Sequence, residues 1–307
     1  MRLEPLYKSM LVTTLACVLA GCAQQRFSGL RGDSVASGPP TPAPALAIPN
    51  APLVQAPRTD DNIQQATYAP RRENAKPDRA GQSPLSVIYQ RAAQRFAGMD
   101  SYIYRLKRRE VVNGKKQPEE LIRVSVRKEP FSVHLKWLGN EGKGRETIFV
   151  RGKYKDRMQV LLGANDPFSS LMSRTTIAPD DPMARARSRY PITETGFGPL
   201  IARFGQLAAA NDKGDVSGGK ATYLGQVERP EFTEKLDTVH QLLQPGSDPQ
   251  FPNGGQRWWF FDAKTGLPAL VIAHDPTGEV EYYCHDNILG PAHLEDDDFN
   301  PDRLWKK

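Results

Sequence analysis

The sequence has few of the residues that build disulfide scaffolds and metal clusters. Its 307 residues include 3 cysteines and 5 histidines, and no cysteine spacing resembles a zinc site. It also has no Gly-rich phosphate loop and no H-E-x-x-H zinc motif. These absences exclude a disulfide-stapled fold and disfavour a histidine-rich metalloprotein, so we predict no metal and no cofactor. What the sequence does contain is 26 prolines and a formal net charge of +6, and neither is evenly spread.

The first 22 residues have the layout of an export signal. A positively charged start precedes an apolar run from Met10 to Ala20, which is shorter than the ~20 apolar residues of a membrane-spanning helix. The run ends in Leu19-Ala20-Gly21-Cys22, which resembles the lipobox of bacterial lipoproteins. That resemblance implies cleavage before Cys22 and acylation of its thiol, with stable anchoring by two or more acyl chains. Residues 1–21 are thus predicted to be a lipoprotein signal peptide, and an ordinary signal with a chance cysteine is the alternative.

Residues 22–82 are predicted to form a disordered, lipid-anchored tether. The stretch from Gly38 to Pro57 holds seven prolines without a repeating period, which is typical of a partly polyproline-like spacer. A proline-motif ligand for a partner domain is the alternative interpretation. Ala23 replaces the aspartate that usually retains lipoproteins in the inner membrane, which favours the outer membrane, facing the periplasm.

Regular structure is predicted from residue 83 onwards. Ser83 suits a helix N-cap and Pro84 the first helical position, and apolar residues recur at helical spacing up to Gly98. From residue 102, apolar residues alternate with polar and basic ones, which predicts an antiparallel meander with one apolar and one wet face. Asn113-Gly114 is a strong hairpin signal, although the polar residues up to Pro118 favour a longer loop.

About ten antiparallel strands with two or three helices in residues 83–307 predict a single α+β domain. Residues 166–215 look loop-like, apart from a second helix at 198–210. The later strands are expected near the ranges 146–151, 157–162, 221–228, 236–243, 257–262, 270–274 and 280–284.

Several segments resemble a family of bacterial lipoproteins, the domain of unknown function 1571. They are Tyr104-Arg105-Leu106, Val124 to Phe131, Phe261-Asp262, Glu279 to Tyr283 and Asp297 to Pro301. The order of elements also resembles the lipoprotein carrier and receptor of the Lol pathway. In that fold a curved antiparallel sheet, a half-barrel, wraps around helices and leaves an apolar cavity for acyl chains. The family resemblance implies no activity and no catalytic residues.

Two catalytic signatures occur in the wrong context. Ser125-Val126-Arg127-Lys128 and Lys264-Thr265-Gly266 spell two of the three motifs of serine penicillin-binding enzymes, but the Ser-x-Asn motif is absent. Ser125 also lies in a predicted strand, not at the start of a helix. The acidic run 296–302 has the oxygen spacing of a calcium loop, yet Pro301 and Lys307 stand where an EF-hand needs Gly and Glu. We predict a solvated acidic tail, no metal site and no catalytic residue.

The residues around position 284 are also predicted to be structural. Cys284 is more typical of a buried apolar thiol than of a nucleophile. His285 and Asp286 are adjacent, so on a strand their side chains point to opposite faces and form no dyad.

The run Trp258-Trp259-Phe260-Phe261 places large aromatic side chains on both faces of one strand. Core packing explains such a run, and a partly open apolar cleft is the alternative. If the concave face holds an apolar ligand, the alternation predicts six lining residues: Tyr104, Val124, Val133, Trp137, Trp259 and Phe261.

Charge is divided between two halves of the chain. Residues 71–157 hold 22 Lys+Arg and 10 Asp+Glu, whereas residues 158–307 hold 14 and 21. Six basic residues share the wet face of the meander and form a candidate docking face: Arg105, Lys107, Arg109, Arg123, Arg127 and Lys136. A solvated sheet face is the default explanation, and docking onto anionic lipid, wall polymer or an acidic partner is the alternative.

Three functions remain open. The leading hypothesis is a membrane-anchored, non-enzymatic lipoprotein that binds a lipid, an acyl chain or a protein partner in the concave face of its sheet. The second is a structural envelope protein that contacts wall polymer or partner proteins through the basic face. The third and weakest is a hydrolase of envelope substrates. Nucleic acid is not an expected partner of an exported protein.

Overall fold

The computed structural model describes residues 82–166 and 169–305. The predicted signal peptide, the lipidation site at Cys22 and the proline-rich tether lie outside the described residues. The domain boundary near residue 83 therefore stays a prediction.

The first described element is the helix α1, Pro84–Ala97. The side chain of Ser83 accepts a hydrogen bond of 3.2 Å from the backbone N–H of Ser86, as an N-cap does. Pro84 lies in the first turn of the helix, where the backbone N–H that proline lacks would have no partner within the helix. Gly98 is the C-cap, so both predicted ends of this helix are confirmed.

The first half of the sheet is a meander of seven strands. They are β1 (Ser101–Val112), β2 (Lys115–Lys116), β3 (Glu120–Arg127), β4 (Ser132–Trp137), β5 (Glu146–Val150), β6 (Met158–Leu161) and β7 (Arg174–Ile177). The predicted longer loop after β1 is wrong. Asn113 and Gly114, with φ of 50° and 73°, form a two-residue turn that pairs Val112 with Lys115.

The second half of the sheet contains five strands. They are β8 (Lys220–Val227), β9 (Leu236–Leu243), β10 (Gly255–Asp262), β11 (Pro268–Asp275) and β12 (Gly278–Leu289). All pairs are antiparallel, in the order β7-β6-β5-β4-β3-β1-β12-β11-β10-β9-β8, and β2 pairs only with β1. The two halves therefore meet at β1 and β12, the first and last of the described strands.

Three further α-helices are α2 (Pro182–Arg185), α3 (Phe197–Asp212) and α4 (Pro301–Leu304). The helices α1 and α3 pack together, and Gly205 permits their close approach because a Cβ there would lie 2.4 Å from the ring of Tyr89. One apolar cluster contains residues of α1 and α3 together with residues of strands across the whole sheet, including β6 and β8. Since β6 and β8 lie near opposite ends of the sheet, the sheet must curve around the two helices.

The opposite face of the sheet, called the outer face below, is partly covered by the C-terminal segment. Phe299 and Trp305 are buried there against Ile148 and Val150 of β5. The prediction of an α+β domain with a curved antiparallel sheet around helices is confirmed. The expected ten strands become twelve because β2 and β7 were not predicted.

Candidate ligand-binding cleft

Two adjacent cavities lie on the concave face of the sheet. Both are lined in part by residues 178–196, called the crossover segment below, which includes α2 and connects β7 to α3. The larger cavity has a volume of about 210 Å³ and the smaller about 90 Å³. They share the lining residues Arg108, Ser188, Tyr190, Pro191 and Thr195. Together they form one cleft between the sheet and the crossover segment.

The larger cavity is lined mainly by apolar side chains. They come from β4, β6, β7, α2 and the crossover segment: Leu135, Trp137, Met158, Val160, Leu162, Ile177, Pro179, Met183, Ala184 and Ile192. Met183 is 60% exposed and marks the mouth. An apolar cavity of about 150 Å³ holds benzene, whereas drug-sized pockets start at about 300 Å³. The larger cavity therefore suits a short apolar group, such as part of an acyl chain.

Ion pairs close one wall of the larger cavity. The guanidinium of Arg108 binds Glu120, and that of Arg145 binds Asp166 through two hydrogen bonds. Glu120 also accepts a hydrogen bond of 2.8 Å from the indole N–H of Trp137, which fixes this ring. The charges on this wall are thus held by protein partners and hydrogen bonds.

The smaller cavity is lined by buried charges. Glu281, 1% exposed, accepts hydrogen bonds from the hydroxyl of Tyr190 (2.6 Å) and from Nε of Arg189 (3.0 Å). Arg257, also 1% exposed, lies 3.2 Å from Asp248 and 3.7 Å from Glu281. These contacts connect β10, β12 and the crossover segment in one ionic cluster.

Burial shifts the pKa of several groups on β12. It raises the pKa of Tyr283 well above its usual value, and it lowers the pKa of His285 to about 4, so this imidazole is neutral at pH 7. Burial also raises the pKa of Cys284 to about 11, which leaves the thiol protonated. The predicted buried thiol is confirmed. His285 points inward against Tyr104, whereas Asp286 pairs outward with Arg105, as predicted for adjacent residues on a strand.

The six predicted lining residues are all buried on the concave side, but they do not share one cavity. Tyr104 and Trp259 line the smaller cavity and Trp137 lines the larger one. Val124, Val133 and Phe261 lie in the packed core. The ring of Phe204 on α3 lies 4.6 Å from that of Phe261 and 5.6 Å from that of Trp259. On the concave face, the aromatic side chains of β10 are therefore explained by core packing. The larger, apolar cavity lies at the other end of the sheet.

Five of the six residues in the predicted basic face are ion-paired within the chain. Their partners are acids of β12, of β5, of the C-terminal segment and of the loop before β3: Arg105–Asp286, Lys107–Glu119, Arg109–Glu279, Arg127–Asp296 and Lys136–Glu146. Arg123 is exposed and has no ion pair among the described residues. The charge asymmetry of the sequence is thus used largely to join the two halves of the fold.

The acidic run near the C-terminus also binds basic side chains. Asp296 pairs with Lys153 and Arg127, and Asp298 accepts a hydrogen bond from the backbone of Glu295. Among residues 82–166 and 169–305, no group of three or more His, Cys, Asp or Glu side chains is placed to hold a metal ion. No helix in the same part of the chain has the length and apolar character to cross a membrane.

Comparison with family profiles finds one match that spans nearly the whole sheet. Residues 99–304 match the profile described as "Protein of unknown function (DUF1571)". The chain belongs to the DUF1571 family. The predicted family membership is confirmed, and the β1–β12 junction and the cleft both lie inside the DUF1571 region. No curated protein matches this chain significantly.

Solved structures align with this DUF1571 chain at low identity. The lipoprotein LppX of Mycobacterium tuberculosis is 12% identical, with a TM-score of 0.39 over 69% of this chain and 98% of its own. A LolA superfamily protein from Nitrosomonas europaea is 12% identical, with a TM-score of 0.30 over 71% and 98%. An uncharacterized conserved protein from Thermus thermophilus is 9% identical, with a TM-score of 0.39 over 71% and 93%.

The crossover segment is the part of the cleft that the sequence reading missed. It has neither the helical nor the alternating apolar period, so it was predicted as a loop. Its signal is the set of prolines 179, 182 and 191 around Met183, Ala184 and Ile192. Prolines that bound a short apolar stretch indicate a fixed segment with side chains to bury.

Proposed function

We propose that the protein is a lipid-anchored envelope lipoprotein that binds an acyl chain in the larger cavity without catalysing a reaction. The observation that carries this proposal is the apolar lining of a cavity that opens at Met183 between the sheet and the crossover segment. Such a site recognises its ligand by burying apolar surface and needs few polar contacts.

The size of the cavity limits the affinity. If about 150 Å³ holds the six carbons of benzene, the larger cavity, at about 210 Å³, holds a chain of about eight carbons. At ~0.8 kcal/mol for each buried methylene, transfer of this chain from water into the cavity contributes about 6 kcal/mol of binding free energy. This corresponds to a Kd no tighter than tens of micromolar. An acyl chain held so weakly is released readily, which suits a reversible carrier or sensor.

The non-enzymatic part of the proposal is supported by the state of the reactive groups. The thiol of Cys284 is protonated and packed against Phe260 and Leu270 on the outer face. His285 lies on the concave face, buried and neutral, in ring contact with Tyr104 and Phe197. The nucleophile and the base of a Cys-His enzyme would have to meet, and these two lie on opposite faces.

The lipid anchor is supported by the motif at residues 19–22. We expect labelled palmitate to enter the wild-type protein in its bacterial host and not the Cys22→Ala variant, because the lipobox cysteine is the acylated residue. The measurement is radiolabel or click-label incorporation followed by gel analysis. The Cys284→Ala variant is the matched control and should label like the wild type. Equal labelling of wild type and Cys22→Ala would contradict the anchor.

If the larger cavity binds the ligand, a bulky side chain introduced into that cavity should prevent binding. Ala184 lies on α2 and lines the larger cavity, whereas Ala186 is exposed two residues further on and lines neither cavity. We expect a short-chain acyl lipid, added in excess to the purified protein, to bind the wild type and Ala186→Trp and not to bind Ala184→Trp. Native mass spectrometry of each protein with the added lipid measures this. Binding of the lipid by Ala184→Trp would place the ligand elsewhere.

The second candidate role, contact of wall polymer or an acidic partner with the basic face, has less support. Five of its six basic side chains already have acidic partners in the same chain. A new anion would have to compete with these pairs, so the free charge on this face comes mainly from Arg123.

A further inference from the structure

The wall of the larger cavity carries more arginine than acid. In the described part of the chain, its charged lining residues are Arg108, Arg145, Arg185, Arg187, Glu120 and Asp166. Arg108 is paired with Glu120, and Arg145 with Asp166. Each pair is neutral, so the two further arginines, Arg185 and Arg187, give the lining an excess of two positive charges.

Arg185, on α2, has a guanidinium that the protein satisfies only in part. Its Nη2 donates a hydrogen bond to the backbone carbonyl of Arg189. Its Nη1 is buried and has no hydrogen-bond partner among residues 82–166 and 169–305. A buried charged donor without an acceptor costs free energy. A ligand oxygen at this position would remove that cost.

Arg187 is the second arginine outside the two hydrogen-bonded pairs, and its side chain is 47% exposed. Its Nη1 forms an ion pair with Asp166 at 3.8 Å, which is beyond hydrogen-bond distance. The oxygens of Asp166 are already taken by Arg145 and by the backbone N–H of Gly163, at 2.7 Å. Arg187 therefore shares Asp166 with Arg145. Its guanidinium donates no hydrogen bond to a described residue, so its N–H groups can donate to a ligand that enters the cavity.

We infer that the acyl ligand ends in an anionic head group, a carboxylate or a phosphate, that binds Arg185 and Arg187 while its chain fills the apolar part of the larger cavity. This inference rests on the proposed function. Guanidinium groups form charge-assisted hydrogen bonds with both anions, which an uncharged hydroxyl cannot match. The smaller cavity has no such excess, since its charged lining is balanced: Arg108, Arg203, Arg257, Glu110, Glu194 and Glu281.

Three probes with the same chain and different heads test the inference: decanoate, decyl phosphate and decanol. Each is titrated into the purified full chain bearing Cys22→Ala, which carries no lipid of its own, and the fluorescence of Trp137 in the cavity wall reports binding. We expect at least one anion to bind ~tenfold or more tightly than decanol, as charge-assisted hydrogen bonds would give. The tighter of the two anions identifies the head group as carboxylate or phosphate.

The variant Arg185→Gln/Arg187→Gln should remove the preference for the anion and leave decanol binding unchanged. Arg123→Gln, at the exposed arginine of the outer face, is the matched control and should bind all three probes like the parent chain. Thermal unfolding of each variant checks that the fold is kept. Decanol binding as tightly as both anions, or an equal loss of all three probes in the double variant, would overturn the inference. If none of the probes binds the parent chain, the proposed function itself fails.

Discussion

Replacing Arg257 by methionine is expected to lower the free energy of unfolding by ~3–5 kcal/mol, because it removes one partner from a buried ionic cluster. Arg257 is 1% exposed and lies between Asp248 and Glu281, with its guanidinium 4.8 Å from the ring of Phe251. Methionine keeps much of the apolar stem, so the loss reports the charge. Since a domain has only about 5–15 kcal/mol of stability, the effect is large. Urea unfolding at pH 7 measures it.

The control for Arg257 is a surface arginine. Arg123→Met should change the free energy of unfolding by less than about 0.5 kcal/mol, because this exposed side chain has no ion pair among the described residues. Adding Glu281→Gln to Arg257→Met should recover part of the loss, since it removes a buried negative charge left without its partner. Equal stability of Arg257→Met and Arg123→Met would show that the cluster does not hold the cleft together.

Acid is expected to remove ~1–2 kcal/mol of stability through Glu146 alone, because solvent screens part of the effect of its charged neighbours. Burial alone would raise its pKa, but hydrogen bonds from His134, Lys136 and Trp305 lower the pKa to about 2. A carboxylate whose pKa is lower in the folded state stabilises the fold above its unfolded pKa of about 4.5. That contribution is lost as the pH falls towards 2. Urea unfolding between pH 7 and pH 2 follows the loss.

The variant Glu146→Gln isolates this contribution. It should be less stable than the wild type at pH 7, and the difference should shrink as the pH falls from about 4.5 towards 2. Glu119→Gln, on an exposed residue, controls for the change of charge. The release of Trp305 from Glu146 should also appear as a shift in tryptophan emission. A difference between Glu146→Gln and the wild type that stays constant over this pH range would contradict the assignment.

The parts of the fold that local signals encode were predictable from the sequence. The ends of α1 follow from Ser83, Pro84 and Gly98, and the range of β9 agrees with its alternation, Leu236–Leu243. The strand β7 was missed because only pairing with β6, such as Met158 with Ile177, holds its residues in a strand. The helix α2 was missed because its four residues are too few to show a helical period.

The cleft was predictable only in part, for a related reason. Alternation identified which side chains point to the concave face, and all six candidates are buried there. It could not show which of them are covered, because Phe204 is distant in sequence from Phe261 and still fills the space beside it. The charge asymmetry was visible, but its cause is the pairing of β1 with β12, as in Arg105 with Asp286. Non-local contacts of this kind leave no local pattern.

Titration of decanol into the full chain bearing Cys22→Ala tests the central claim, that the larger cavity binds an acyl chain, most directly. Decanol carries no charge, so its binding reports the apolar cavity and not the arginines. We expect binding with a Kd of tens to hundreds of micromolar. Ala184→Trp should weaken it at least ~tenfold and Ala186→Trp should leave it unchanged. The absence of decanol binding by the parent chain, or equal binding by both tryptophan variants, would contradict the account.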